Sequence, residues 1–222
     1  MIPLILRLRR NVHKEIAQSQ DLIVEELYSM FDNAVLHGGT AIWRCYKSNR
    51  FSEDIDVYTP RDTEKIELFF ENLKKKGFNI IKKRVRQNTL FSVLQFNRTI
   101  VRFEAIFKSA RGILKEYETA DGNLITIYSL TPEQLIKEKV PTYLKRLKIR
   151  DLYDIFFLLR YVKDIQIIKN DLQYLIKNFK MPLDKNELKV LIMEGITPKI
   201  EYMLEYIKNK IQDGKRKISK RN

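Results

Sequence analysis

Apolar residues recur at helical spacing through Ile16, Leu22, Ile23, Leu27, Met30 and Phe31, which predicts an amphipathic helix over 14–32. The period then shortens. Ala34-Val35-Leu36 reads as a short strand running into Gly38-Gly39, with Thr40 as N-cap of a helix through Tyr46 and Lys47-Ser48-Asn49-Arg50 as a turn. Asp54 to Tyr58 reads as a second strand, closed by Pro60, and Thr63 to Lys76 as an amphipathic helix ended by Gly77. Extended segments follow at 78–86, 90–96 and 99–107, the last two joined through Asn97-Arg98 as an antiparallel pair. Another strand, Leu124 to Tyr128, follows Asp121-Gly122-Asn123. From Thr131-Pro132-Glu133 the pattern is helical; Pro141 predicts an interruption, and helices are expected at 143–161, 165–178, 185–194 and 197–212. The expected class is α+β: a mixed-sheet domain over 1–129 with an N-terminal helix, an all-helical domain over 130–212, and a basic tail over 213–222.

The chain has 222 residues, 44% of them hydrophobic, enough for one domain or two small ones with a substantial core. No apolar run approaches the ~18–20 residues that span a bilayer, so no membrane partner is expected. The opening Met1-Ile2-Pro3-Leu4-Ile5-Leu6-Arg7 is too short for a secretory signal, and Cys45 stands alone. Both features lead to the expectation of a cytoplasmic protein in a reducing compartment.

Net charge is +14 and unevenly spread. Residues 74–86 carry Lys74, Lys75, Lys76, Lys82, Lys83, Arg84 and Arg86 with no acid, and 208–222 set seven basic residues against Asp213. Such blocks attract polyanions, RNA or DNA above all, although basic surfaces also serve solubility.

Candidate chemistry begins at the glycine pair. A strand turning into a helix through Gly38-Gly39 leaves backbone N–H groups at the helix start, where phosphate oxygens can approach without a Cβ in the way. The Thr40 hydroxyl can add a hydrogen bond. Asp54 and Asp56 alternate on the next strand and share a face, while Ile55 and Val57 point to the core. Paired carboxylates repel, and Mg²⁺ or Mn²⁺ relieves the repulsion while bridging to phosphates. In the segment 99–107, Val101, Phe103, Ala105 and Phe107 form the apolar face and Arg102 and Glu104 the other. Glu104 is either a third metal ligand or the partner of a surface ion pair with Arg102. Further on, Lys139 and Arg146 are candidates for the triphosphate, and Asp151 or Asp154 for orienting the base, the ribose or a lysine. The bland alternative is a salt-bridged packing helix with Arg150 and Asp154 as an i,i+4 pair.

Gly-Gly-Thr-Ala at 38–41, Arg-x-Ser-x-Asp-Ile-Asp at 50–56, Glu138-Lys139 and Arg-Asp-Leu-Tyr-Asp-Ile at 150–155 together resemble the AbiEii/AbiGii family. These are toxin-type nucleotidyltransferases of the polymerase β-like superfamily. The resemblance covers roughly residues 35–160. It implies a mixed-sheet nucleotidyltransferase domain followed by a helical domain, with an NTP held between them and Mg²⁺-dependent transfer to an acceptor. It also implies a separate antitoxin protein, and in some relatives modification of tRNA ends. On that resemblance Gly38, Gly39 and Thr40 contact phosphate, Asp54 and Asp56 hold metal, and Arg50 and Ser52 shape the loop. Lys139 matches the later lysine, with Lys137 as the alternative, and Asp151 or Asp154 the later aspartate. Glu104 stands where many relatives carry aspartate.

The expected activity is therefore transfer of a nucleotide from an NTP to RNA, tRNA first. The alternatives are transfer to a small molecule or protein, and a non-catalytic nucleic-acid-binding module.

Overall fold

Buried Ile16, Ala17, Ile23, Val24 and Leu27 form one stripe of a helix, α2 (Asn11–Met30), preceded by a single turn, α1 (Leu4–Arg7), that the periodicity does not show. The computed structural model describes the backbone of residues 2–219 and the side chains of residues 2–212. The chain divides into two compact units, 1–130 and 131–222.

In the first unit, strands β1 (Val35–His37), β2 (Ile55–Thr59), β3 (Asn79–Val85), β4 (Thr89–Phe96), β5 (Thr99–Phe107), β6 (Ile113–Glu118) and β7 (Leu124–Ser129) form one mixed sheet. Its order is β3-β4-β5-β2-β1-β7-β6. The β2–β5 and β1–β7 pairs are parallel and the others antiparallel. Two helices, α3 (Gly38–Tyr46) and α4 (Thr63–Lys75), complete the unit. Alternation sends Ile55, Val57, Leu90, Leu94, Val101, Phe103 and Ala105 into the core, where Phe69 of α4 lies 5.1 Å from Phe103. Asp62 caps α4 by accepting from the Lys65 N–H, and Gly77 leaves the helix at φ +96.

A buried polar knot ties α2, α3 and β6 together. Arg44, wholly buried, donates to Asp21 (2.8 Å) and to the carbonyls of Ala17 (2.8 Å) and Glu118 (3.0 Å). Tyr117 and the Ala120 N–H also donate to Asp21, at 2.9 and 2.6 Å. Burial nevertheless raises the Asp21 pKa, with Arg44 opposing the shift.

The strand segments 78–86, 90–96, 99–107 and 124–128 form as the patterning predicts, and Asn97 turns the β4–β5 hairpin at φ +53. Strand β6 was not expected. It is a sheet edge, and Lys115, Glu116 and Glu118 interrupt any apolar alternation. Thr40 is not a cap: α3 starts at Gly38 with His37 as N-cap, placing Thr40 inside the first turn.

The elements of the second unit among the described residues are helices: α5 (Pro132–Arg146), α6 (Ile149–Leu158), a 3-10 turn (Ile165–Ile168), α7 (Lys169–Lys177), α8 (Leu188–Leu191) and α9 (Ile200–Ser219). Thr131 and Gln134 form a reciprocal capping box at the start of α5. Pro141 does not interrupt α5 as expected. It sits exposed within the helix, where water can serve the carbonyl that loses its donor, and the Thr142 hydroxyl donates to Glu138 O at 2.7 Å. The break falls instead at Leu147, in the left-handed conformation at φ +52, so the expected 143–161 helix is divided. The expected 185–194 helix is reduced to α8. The expected basic tail, 213–222, overlaps the backbone of α9; its side chains and residues 220–222 lie outside the described residues.

Candidate active site

The glycine corner is built by backbone geometry and space together. Gly38 has φ +69, and a Cβ there would stand 2.2 Å from Oδ2 of Asp56. A Cβ on Gly39 would meet Ser52 Oγ at 2.5 Å and an Arg50 guanidinium nitrogen at 2.7 Å. The first N–H groups of α3 have no carbonyl one turn back to receive them, and the positive end of the helix dipole lies there. A carboxylate packed against that end is what the electrostatics favour.

The loop behind the corner is pinned from several sides. The Thr40 hydroxyl donates to the Asp54 carbonyl, so its proton is engaged within the protein. Buried Arg50 donates to Phe51 O (2.9 Å), and Gln20 Nε2 donates to Ser52 O (2.9 Å). Thr40, Arg50 and Ser52 stand buried around the corner, and the Thr40 hydroxyl, expected on phosphate, is turned to the Asp54 carbonyl instead.

Sheet register gathers the acids. Asp56 pairs with Glu104 across the parallel β2–β5 ladder and with His37 across β1–β2. The Glu104 pKa is raised, first by burial, then by the charges of Asp56 and Asp54, with Arg102 and His37 opposing. Arg102 does not pair with Glu104 as the surface ion-pair alternative supposed. It forms a bidentate bridge to Asp54, Nε–Oδ1 2.8 Å and Nη2–Oδ2 2.7 Å, which raises the Arg102 pKa. Among the described residues, no three carboxylate, histidine or cysteine side chains form a ready metal-ligating cluster. The donor set still suits a hard cation: Asp56 and Glu104 are oxygen donors side by side, repelling each other, and Asp54 joins them if Arg102 releases it.

Two neighbours were not foreseen. The His37 ring stacks on Tyr58 at 3.8 Å and 7°, and Lys108 Nζ lies 3.7 Å from the centre of the Tyr58 ring. The period-two row Asp54, Asp56, Tyr58 would have placed Tyr58 beside the acids; the Arg102 bridge depends on long-range register and has no local signal.

In the helical unit, Asp151 and Asp154 both turn inward to Lys139, at 3.1 and 2.7 Å, and both carboxylates are fully buried. Arg146 adds a two-pronged bridge to Asp151 at 2.6 and 2.8 Å. Despite burial, these partners hold the Asp151 pKa below its ordinary value. Of the roles expected for the two acids, orienting a lysine is the one this geometry matches.

A mixed sheet with a glycine corner against a row of acids, followed by helices, is the fold of a nucleotidyltransferase. The profile of the family described as "Nucleotidyl transferase AbiEii toxin, Type IV TA system" matches residues 23–201, and the chain belongs to that family. MenT4, a nucleotidyltransferase toxin from Mycobacterium tuberculosis, shares the fold at TM-score 0.63 and 16% identity, over 90% of this chain and 82% of that one. The crystal structure of JHP933 from Helicobacter pylori is similar at TM-score 0.68 and 18% identity, over 96% and 95%. Among curated proteins none matches by sequence. No helix among the described residues is long and apolar enough to cross a membrane.

Proposed function

We propose that this toxin-family nucleotidyltransferase moves a nucleotide from an NTP to an RNA acceptor, tRNA ends being the class the family suggests, in a metal-dependent reaction. The observation that carries the reading is the β2–β5 register, which sets Asp56 beside Glu104, together with the packing of Asp56 against Gly38. The N–H groups at the start of α3 and the glycine corner receive triphosphate oxygens. Asp54, Asp56 and Glu104 would hold Mg²⁺ or Mn²⁺, which when bound neutralises phosphate charge and lowers the pKa of a nearby hydroxyl. Glu104, set beside Asp56 by the strand register, is the carboxylate proposed to accept the proton of the attacking hydroxyl. The acceptor oxygen forms a bond to the α-phosphorus, the bond from that phosphorus to the bridging oxygen breaks, and pyrophosphate leaves. Within the helical unit, Lys139 is oriented by Asp151 and Asp154 and flanked by Arg146.

A separate antitoxin protein is the expected partner, and the cytoplasm the expected site of action, in keeping with a single buried free cysteine, Cys45. Incubation with labelled NTPs, Mg²⁺ and total RNA tests the reading. Labelled RNA is the expected result; unlabelled RNA from a protein that still binds nucleotide contradicts it.

A further inference from the structure

The basic block at 74–86 divides between two faces of the sheet. Lys83 points to the helical side, where it bridges Glu67 at 2.6 Å and lies 4.6 Å from the Phe70 ring. Lys74 and Lys75 belong to the last turn of α4 on that side. Lys82 and Arg84 point the other way. Arg84 pairs with Phe91, Phe91 with Glu104, and Glu104 with Asp56, so one row crosses β3, β4, β5 and β2 on a single face. The adjacent row runs from Lys82 through Val93 to Arg102. Arg86 closes the hairpin, its N–H donating to Thr89 O at 2.8 Å.

This face has a chemical gradient. Lys82, Arg84 and Arg86 are exposed, Phe91 and Val93 are half-buried, and no acid occurs in the sequence from Lys74 to Phe103. Lys82 Nζ lies 5.4 Å from the centre of the Phe91 ring, so cation and aromatic face form one surface. Three strand spacings, ~14–15 Å, separate the cations on β3 from the acids on β2. An open strip with phosphate-binding cations at one end, an aromatic in the middle and the reacting acids at the other matches an extended single strand. A duplex buries its base faces and cannot stack on Phe91.

We propose that the open face of β3, β4 and β5 is the platform for the unpaired 3′ end of the acceptor RNA. Phe91 stacks a base, Lys82, Arg84 and Arg86 hold the phosphates upstream of it, and the terminal hydroxyl reaches Glu104 and Asp56. The inference rests on the RNA-acceptor reading above.

Binding of a fluorescent single-stranded oligoribonucleotide with a free 3′ hydroxyl tests it, with binding of a fluorescent NTP measured in parallel. Phe91→Ala and Arg84→Glu should each weaken oligonucleotide binding about tenfold and leave NTP binding unchanged. Lys75→Glu, an equal charge change from the same block but on α4, should have no such effect. Phe91→Leu keeps an apolar side chain without a stacking face and stands in if the alanine variant melts early. The platform is overturned if wild type does not bind the oligonucleotide, if Phe91→Leu and Arg84→Glu bind as wild type does, or if Lys75→Glu costs as much as Arg84→Glu. Because binding is read apart from transfer, the two proposals can fail separately. Face-selective binding without labelling removes the enzymatic reading alone, and labelling that ignores Phe91 and Arg84 removes the platform alone.

Discussion

The two acidic clusters of this chain are built from the same carboxylates and treated in opposite ways. Asp151 and Asp154 are fully buried and each is matched to a cation, and Asp151 is held ionised below its ordinary pKa. Asp54, Asp56 and Glu104 are only half-buried; exposed Arg102 bridges Asp54, and burial together with the charges of Asp56 and Asp54 leaves Glu104 with a raised pKa. The first arrangement neutralises charge inside the protein and fixes a lysine. The second keeps mutual repulsion in reserve, which a cation arriving with its nucleotide can relieve. Rigid neutralised charge fixes its partner; carboxylates crowded near solvent remain able to take up a cation.

The largest predicted effect sharpens this contrast. Asp56→Asn should lower transfer ~10³-fold while leaving thermal stability unchanged or slightly higher, since a repelling charge is removed. Radiolabel transfer and a melting curve together check it. Asp151→Ala should act on stability instead: Lys139 and Arg146 lose a buried partner, and urea unfolding should show a loss of about 2–4 kcal/mol. A stable Asp151→Ala protein would break the comparison.

Gly38→Ala comes next. A Cβ cannot share the space of the Asp56 carboxylate, and φ +69 is unfavourable for alanine, so unfolding should show a loss of about 1–3 kcal/mol and transfer should fall with it. Arg102→Ala should change stability by less than about 1 kcal/mol, because the bridge is exposed. It should also tighten Mn²⁺ binding, measured by titration, because Asp54 is released.

The smallest effect is on pH. Asp151 is depressed in the folded state, so its contribution is present above its ordinary value of 3.8 and is lost as pH falls through the folded value. Glu104 is raised, so its contribution is complete below its ordinary 4.5 and is lost as pH rises through the raised value. Acidifying from neutrality to 4.5 should therefore relieve the first unit by less than ~1 kcal/mol, given solvent screening, and further acidification should weaken the second. Glu104→Gln should flatten the first arm of the melting profile and Asp151→Asn the second.

Much of this was legible in the chain because it is local. Gly38-Gly39, the alternation of Asp54 and Asp56, the Thr131 cap and the Asn97 turn all act within a few residues. Glu104 could be placed on the polar face of its strand by period two, yet its pairing with Asp56 needs the register between strands far apart in sequence. The Arg102–Asp54 bridge was hidden for the same reason. Edge strand β6 lacks a buried face regular enough to show, and the turn at Leu147 uses a residue that gives no left-handed signal. Pro141 misled because an exposed helix position tolerates the lost hydrogen bond.

The central claim is that the Asp56–Glu104 pair and the Gly38 corner hold a metal-bound nucleotide. Calorimetric titration of a non-hydrolysable NTP analogue, with and without Mg²⁺, into wild type and Asp56→Asn tests it most directly. The account predicts tight binding only for wild type with Mg²⁺. Equal affinity in all four titrations would contradict it.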